Sequence, residues 1–278
     1  MGVEPTAKRR RRRVSASPPR VSEKQAAESV VAAANAQRDV LRLVPERLRR
    51  LEGALRGADA ELEGYRVSTM PEPLRRWAFD LTKRNMRDAY ERTWGWDNRE
   101  KRRELAHADA RFLVAHAREN LTVAEEREKD GVVKSRENDQ RASSQPDGSD
   151  DERASSAVAF AHVRFEVEAD DAPVLYAYEL QCDGAKDARR KGLGRFLMRA
   201  AEAAGKTAGC ARSVLTVLKE NVGARAFYEK MGYENDPETP ADASCVYVIL
   251  RKEFKRERRV TSRQAASTKS REMRDDQS

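Results

Sequence analysis

Two glycines one residue apart stand between a basic run and an apolar helical pattern in DARRKGLGRFLMRAA, residues 187–201. Glycine allows backbone conformations that other residues resist, so the chain can approach a ligand closely there. The N–H groups that open a helix also favour an anion such as a pyrophosphate. The spacing of Arg189, Gly192 and Gly194 therefore indicates a phosphate-binding turn, with a chance turn before a helix as the competing interpretation.

Two common nucleotide-binding motifs are absent from this stretch. A P-loop requires G-x-x-x-x-G-K-[ST], which the chain lacks. A dinucleotide-binding turn requires a third glycine three residues after Gly194, where the chain has Leu197. The ligand of the turn must therefore be inferred from the elements around it.

Those elements predict a mixed α/β sheet. Alternating or β-branched apolar runs predict strands, and apolar residues that recur at three- and four-residue steps predict helices. We expect strands at 62–67, 110–118, 156–168, 174–183, 213–221 and 245–254. We expect helices at 23–43, from Pro45 through Leu55, from Leu74 to the Trp94-Gly95-Trp96 turn, from the glycine turn to about Thr207, and from Gly223 to Gly232.

Composition indicates segments outside the fold. Hydrophobic residues make up 39% of the 278 residues and charged residues 37%, so part of the chain is expected to be unfolded. We predict a basic tail at 1–22, a folded domain at 23–254 with a disordered insertion at about 122–156, and a charged tail at 255–278. KRRRRR at Lys8–Arg13 is either a solvated tail or a nuclear import or nucleic-acid contact. The net charge of +8 favours an acidic partner or a role near chromatin.

Several classes of site are not supported. The cysteines number three and contain no CxxC pair, so we expect neither a metal site nor a disulfide frame, and a reduced intracellular setting. No apolar run is long enough for a membrane span. The start MGVEPT formally fits a myristoylation pattern at Gly2, but an acidic residue and a proline make it a poor match.

The glycine turn and a second motif together resemble the GCN5-related N-acetyltransferase superfamily. The second motif is N-x-x-A-x-x-F-Y-x-x-x-G-Y, running from Asn221 to Tyr233. WAFDLTKRNM, WGWDNREKR, VAFAHVRFEVE, VLYAYELQ, RRKGLGRFLM and LTVLKEN are similar to the NatD-type N-alpha-acetyltransferases, over about Leu74–Phe254. This resemblance implies the GNAT fold, a mixed central sheet flanked by helices with an N-terminal helical extension. It also implies acetyl-CoA as co-substrate and the N-terminal Ser of histone H4 and histone 2A as acceptor.

The resemblance also implies roles for individual residues. A free α-amine has a pKa near 8, so a carboxylate that accepts its proton would assist acetyl transfer, and Glu179 stands at the family's general-base position. Tyr178 is a second catalytic candidate, and Tyr228 lies where many acetyltransferases place an acid for the leaving thiolate. Cofactor contacts fall on Leu180, Gln181, Arg189, Arg190, Lys191, Gly192, Leu193, Gly194 and Asn221. Substrate contacts fall on Tyr90, Trp94, Glu166, Glu168, Tyr176, Tyr178, Thr216 and Tyr247.

Two features depart from the NatD pattern and leave alternatives open. The family often has Asp where this chain has Glu166, and the loop after Glu168 is one residue longer. The alternatives are an acetyltransferase for other N-termini or for lysine side chains, and an inactive GNAT module that binds chromatin or nucleic acid. We expect histone tails as partners, a monomer, and residence in nucleus and cytoplasm.

Overall fold

The computed structural model describes residues 22–55, 58–119, 150–186 and 188–255. Its strands form one sheet in the order β1-β2-β3-β4-β5-β6-β8-β7. Only β5 and β6 pair in parallel, and the other neighbours are antiparallel. The strands are β1 Arg50–Leu55, β2 Ala58–Arg66, β3 Arg111–Glu119, β4 Ala157–Val167, β5 Pro173–Cys182, β6 Arg212–Leu218, β7 Glu234–Asn235 and β8 Tyr247–Glu253.

Helices cover both faces of this sheet. They are α1 Glu23–Ala36, α2 Glu72–Glu91, α3 Asn98–Leu105, α4 Asp150–Ser156, α5 Leu193–Ala208 and α6 Val222–Lys230. Short 3-10 helices lie at Val40–Leu43, Glu46–Leu48 and Gly184–Lys186. The predicted fold class, a mixed sheet flanked by helices after an N-terminal helical extension, is confirmed.

Strand alternation divides the core into two layers. Side chains of successive strand residues point to opposite faces, and on β3 Leu113 joins the core under α5 while Phe112 joins the core under α2. The first nine residues of β4 are buried, so its apolar run packs against both helical layers. This placement brings α2 and α3 to one face of β5 and α5 to the other.

The predicted helix after Pro45 is wrong. The chain instead forms the 3-10 helix Glu46–Leu48 and then β1. β1 pairs with β2, and the Asp59 carboxylate accepts hydrogen bonds from the Arg50 guanidinium and from the Gly53 N–H. Gly53 has φ 61°, in the left-handed region that glycine tolerates. Hydrogen-bond pairing with β2 therefore decides the structure of a segment whose leucine spacing also fits a helix. The first helix, predicted over 23–43, ends earlier, at Ala36.

The C-terminal end of the segment that we predicted to be a disordered insertion, about 122–156, is a helix instead. Residues Asp150–Ser156 form α4, whose acidic first turn suits the positive end of a helix dipole. The Ser156 hydroxyl contacts His116 Nδ1 at 3.0 Å, which ties α4 to β3. The predicted β3–β4 hairpin is confirmed, since Leu113 pairs with Ala161 in antiparallel register. Residues 120–149, both predicted tails apart from Ser22 and Lys255, Gly2 and the Lys8–Arg13 run lie outside the described residues.

Candidate active site

The two parallel strands of the sheet separate partway along their length. Pairing between β5 and β6 runs from Val174–Arg212 to Ala177–Leu215 and ends there, although both strands continue. A cavity of about 80 Å³ lies at this point and is lined from both strands, by Tyr178 and Glu179 on one side and Thr216 on the other. The separation of the strands therefore opens the sheet where the predicted catalytic residues stand.

A β-bulge at Tyr178 sets the direction of these side chains. His162 of β4 pairs with Glu179, but the next residue, Val163, pairs with Ala177, which leaves Tyr178 as the extra residue of β5. Bulges redirect side chains and often lie beside active sites. Here the bulge brings both Tyr178 and Glu179 to the lining of the same cavity.

Glu179 is a buried carboxylate with both oxygens engaged. It is 4% exposed, and its Oε1 lies 2.9 Å from the Lys101 ammonium. Its Oε2 accepts a hydrogen bond of 2.7 Å from Gln181 Nε2. A buried carboxylate needs partners of this kind to remain ionised, so these contacts supply the charge compensation that a proton acceptor at this position requires.

Lys101 is a functional candidate that sequence reasoning missed. It lies on α3, whose N-cap residue Asp97 accepts hydrogen bonds from the N–H groups of Arg99 and Glu100. Burial alone would lower the pKa of Lys101, but attraction to Glu179, Tyr90 and Glu104 raises it above its ordinary value, so the ammonium stays charged. The only sequence signal was Glu104 at the i+3 position, and such a pair is more often a solvated helix face.

The glycine turn lies at the N-terminus of α5. Gly192 is the N-cap residue with φ 86°, and Arg190 has φ 59°, which is uncommon for a residue with a side chain. Gly192 has no side chain with which to cap the first N–H groups of the helix. This is the arrangement that binds an anion at a helix start.

A wide cavity of about 600 Å³ connects this turn to the small one. Seven of the predicted cofactor residues line it: Leu180, Gln181, Arg189, Arg190, Gly192, Gly194 and Asn221. Leu180, Gln181 and Asn221 line both cavities, so the two form one cleft. Its wide end is basic and its narrow end holds Glu179, a shape that suits an elongated ligand with an anionic end and a neutral reactive end.

Two cofactor candidates, Leu193 and Lys191, are not among the residues that line this cavity, and Asn221 has a second role. Leu193 is 1% exposed and packs into the core, so only its backbone can contribute to the turn. Lys191 is exposed. Asn221 Oδ1 accepts a hydrogen bond of 3.1 Å from the Ala224 N–H and thereby caps α6 at the cleft.

Aromatic side chains form the outer wall of the cleft. Tyr90 and Trp94 have ring centroids 5.1 Å apart, and Trp94 and Tyr247 5.8 Å apart. Trp94 is 47% exposed, which is high for so large an apolar side chain. Tyr176 hydrogen-bonds to Thr216 across the separated strands. The structure thus brings together the predicted substrate aromatics at the mouth of the cleft.

The two predicted acidic substrate residues have different surroundings. Glu166 is half-buried and accepts a hydrogen bond of 2.9 Å from the hydroxyl of Tyr178, a residue that lines the narrow cavity. Glu168 instead accepts from Arg212 Nε at 2.9 Å, and Arg212 also pairs with Asp170. Glu168 is therefore held in an ion-pair cluster rather than beside the tyrosines.

Tyr228 lies at the inner end of the narrow cavity. It is 9% exposed and lines the same cavity as Glu179. Burial, together with the negative charges of Glu179 and Cys182, raises the pKa of Tyr228. Its hydroxyl therefore carries a proton at neutral pH and can act as a hydrogen-bond donor.

The residues of the described ranges lack two other kinds of feature. Those residues contain no group of three or more His, Cys, Asp and Glu side chains suited to a metal ion. None of the helices described is long and apolar enough to cross a membrane.

Comparison with known proteins identifies a family. The model of the Acetyltransferase (GNAT) family matches residues 78–233, which is more than half of the chain. That match includes α2 from Ala78 onward, the bulged strand β5, the glycine turn and α6.

Several solved structures show distant similarity. The NatC complex bound to Gag peptide and CoA is 12% identical with a TM-score of 0.44, covering 70% of this chain and 99% of that one. The PaiA N-acetyltransferase of Thermoplasma acidophilum in complex with coenzyme A is 18% identical with a TM-score of 0.41, again covering 70% and 99%. Arabidopsis thaliana Naa50 with the bisubstrate analogue CoA-Ac-MVNAL is 20% identical with a TM-score of 0.30, covering 37% and 69%. These similarities are too distant to argue from, and the family match alone supports the assignment.

Proposed function

Because the chain belongs to the GNAT acetyltransferase family, we propose that it transfers the acetyl group of acetyl-CoA to the N-terminal α-amine of a protein. Acetyl-CoA is the co-substrate, and we assign its pyrophosphate to the glycine turn and its thioester to the narrow cavity. The buried carboxylate of Glu179 at that cavity carries the proposal, because an amine that attacks a thioester must lose a proton.

The proposed transfer is direct. The neutral amine attacks the thioester carbonyl carbon, the C–N bond forms, and the C–S bond breaks with the thiolate leaving. Glu179 accepts the amine proton and the Tyr228 hydroxyl supplies a proton to the thiolate. Cys182, which lines the wide cavity, is unsuited to a covalent intermediate because burial raises its pKa to about 11 and only a thiolate is an effective nucleophile.

We propose the N-terminal Ser of histone H4 and histone 2A as the acceptor. The NatD-like sequence stretches support this assignment, and so does the position of Glu166, whose carboxylate is hydrogen-bonded to Tyr178 and suits a cationic residue of the peptide. Tyr90, Trp94 and Tyr247 would wall the peptide entry. Residence in nucleus and cytoplasm follows from the same proposal.

The test is a peptide panel with acetyl-CoA, read by mass spectrometry. We expect a Ser-Gly-Arg-Gly peptide to be acetylated on its α-amine, and the same peptide with a blocked N-terminus to remain unmodified. Acetylation of the blocked peptide would instead assign the enzyme to lysine side chains. A panel in which another free N-terminus reacts faster would keep the reaction class and overturn the histone acceptor.

A matched pair of variants tests the base. We expect Glu179→Gln to lower kcat by about 10²–10⁴-fold, the usual contribution of a general base, while acetyl-CoA binding measured by calorimetry persists. Glu28→Gln makes the same change at an exposed site on α1 and should leave kcat unchanged. Full turnover by Glu179→Gln would refute the assignment of Glu179.

A further inference from the structure

A line of side-chain amides joins the glycine turn to Glu179. Arg189 Nη2 donates to Asn85 Oδ1 at 2.7 Å, and Asn85 Nδ2 donates to Gln181 Oε1 at 3.0 Å. Gln181 Nε2 in turn donates to Glu179 Oε2 at 2.7 Å. Asn85 lies on α2, so one helix residue connects two parts of the cleft that are contributed by different segments.

The ends of this line fix the direction of every bond in it. A guanidinium can only donate hydrogen bonds, and an ionised carboxylate can only accept them. Asn85 must therefore present its carbonyl to Arg189 and its NH₂ to Gln181, which must present its own NH₂ to Glu179. Asn85 Nδ2 also donates to the Cys182 carbonyl at 3.2 Å, which requires the same orientation.

The direction of the line has a consequence for the carboxylate. A donor aimed at a carboxylate favours its ionised form, whereas a carbonyl in the same place favours the protonated form. Asn85 thus keeps the donor end of Gln181 on Glu179, and it does so while holding Arg189, a residue of the basic end of the cleft. Asn85 contacts neither the reacting atoms nor Glu179 itself in this arrangement.

We propose that Asn85 is a positioning residue for acetyl transfer, acting through Gln181 to hold Glu179 ready to accept a proton and linking it to the cofactor turn. The proposal rests on the role of Glu179 as base given above. It assigns a function to a residue of WAFDLTKRNM that the sequence patterns and the cleft aromatics leave without one.

Asn85→Asp reverses the orientation of the Gln181 amide. A carboxylate at this position still accepts from Arg189 but cannot donate to Gln181, whose amide then turns its NH₂ toward the new acceptor and its carbonyl toward Glu179. Loss of one hydrogen bond to a charged acceptor should move the acid limb of the kcat/KM profile upward by about one pH unit or more. The profile of kcat/KM is measured with peptide from pH 4 to 9 at saturating acetyl-CoA. Ionisation of the peptide amine gives the same slope in every variant, so the acid limb is read as the lower pH at which the slope steepens further.

Two further variants separate the causes. Asn85→Ala removes the link without adding charge, so we expect a smaller upward shift of the acid limb and a several-fold lower kcat. Asn235→Asp adds the same charge at an exposed position on β7, at the far edge of the sheet, and should leave the limb in place. If Asn85→Asp fails to fold by circular dichroism, Asn85→Ala decides alone.

An acid limb that stays in place in the folded Asn85 variants overturns the proposal, as does an equal shift in Asn235→Asp. The outcome is distinguishable from failure of the proposed function. If Glu179→Gln is inactive while the Asn85 variants keep the wild-type profile, only the positioning role is lost. If Glu179→Gln turns over normally, the base assignment itself is lost.

Discussion

Replacing Lys101 by Met tests whether the pair of Lys101 and Glu179 is a coupled, buried unit. The Lys101 side chain is 9% exposed and that of Glu179 is 3% exposed, with 2.9 Å between Nζ and Oε1. The variant leaves Glu179 without its cation, although it keeps the hydrogen bond from Gln181. We therefore expect a large loss of stability, although methionine matches the lysine stem in length.

The magnitude follows from the cost of an unpaired buried charge. Removing one partner of a buried pair costs about 3–5 kcal/mol, and the lower end applies here because Gln181 still bonds to Glu179. For a domain of this size we expect the melting temperature to fall by roughly 10 °C. The raised pKa of Lys101 means that its contribution is complete below the unfolded value near 10.4 and is lost only as pH rises through the folded value. A measurement at pH 7 thus captures the whole effect.

The assay is urea denaturation at pH 7 of a double-mutant cycle. Lys101→Met should lose about 3 kcal/mol, whereas Lys101→Met combined with Glu179→Gln should recover most of it, because the double variant buries no charge at either position. Lys24→Met, an exposed lysine on α1, is the control and should change stability by less than about 0.5 kcal/mol. Equal losses from Lys101→Met with and without Glu179→Gln would show no coupling and refute the reasoning.

Three further predictions follow from the structure. Gly192→Ala should cost about 1–2 kcal/mol in stability and weaken acetyl-CoA binding by calorimetry, because a φ of 86° strains a residue with a side chain. Burial lowers the pKa of His116 to about 4, so the wild type should lose up to about 3 kcal/mol as pH falls from the ordinary value of 6.5, and His116→Gln should flatten that loss in urea titrations. Glu168→Gln should lower the melting temperature through its bond to Arg212 and leave the peptide KM unchanged, whereas Glu166→Gln should raise the KM for a basic peptide.

Local sequence patterns predicted those parts of the fold where the apolar residues follow either the helical or the strand period, but not both. The glycine turn before α5 and the alternating strands β4 and β5 have clear patterns, and the structure contains all three. The segment of Leu48, Leu51 and Leu55 fits a helical spacing equally well, so the choice of a strand depended on pairing with β2. Such pairing depends on residues elsewhere in the chain and leaves little local signal.

The same limit applies within the cleft. The aromatics, Glu179 and the glycines could be proposed from the sequence because family motifs contain them. Lys101 lies in DNREKRREL, which has the composition of a solvated helix, and Asn85 lies among polar residues of α2. Their roles depend on where α2 and α3 pack against β5. Asn85 and its partner Gln181, for example, are 96 residues apart in the sequence. Only the folded arrangement shows that Lys101 and Asn85 both belong to the hydrogen-bond network around Glu179.

The surroundings of Glu179 also constrain when the proton moves. An ordinary glutamate has a pKa near 4.3 and an α-amine one near 8, so transfer from a free ammonium to a carboxylate is uphill by about 5 kcal/mol. Lys101 and Gln181 engage both oxygens of the Glu179 carboxylate. The amine must then enter neutral, about a tenth of it at pH 7, and Glu179 takes its proton as the C–N bond forms and the nitrogen becomes acidic. The network of Lys101, Asn85 and Gln181 therefore suits a base that acts during the attack rather than before it.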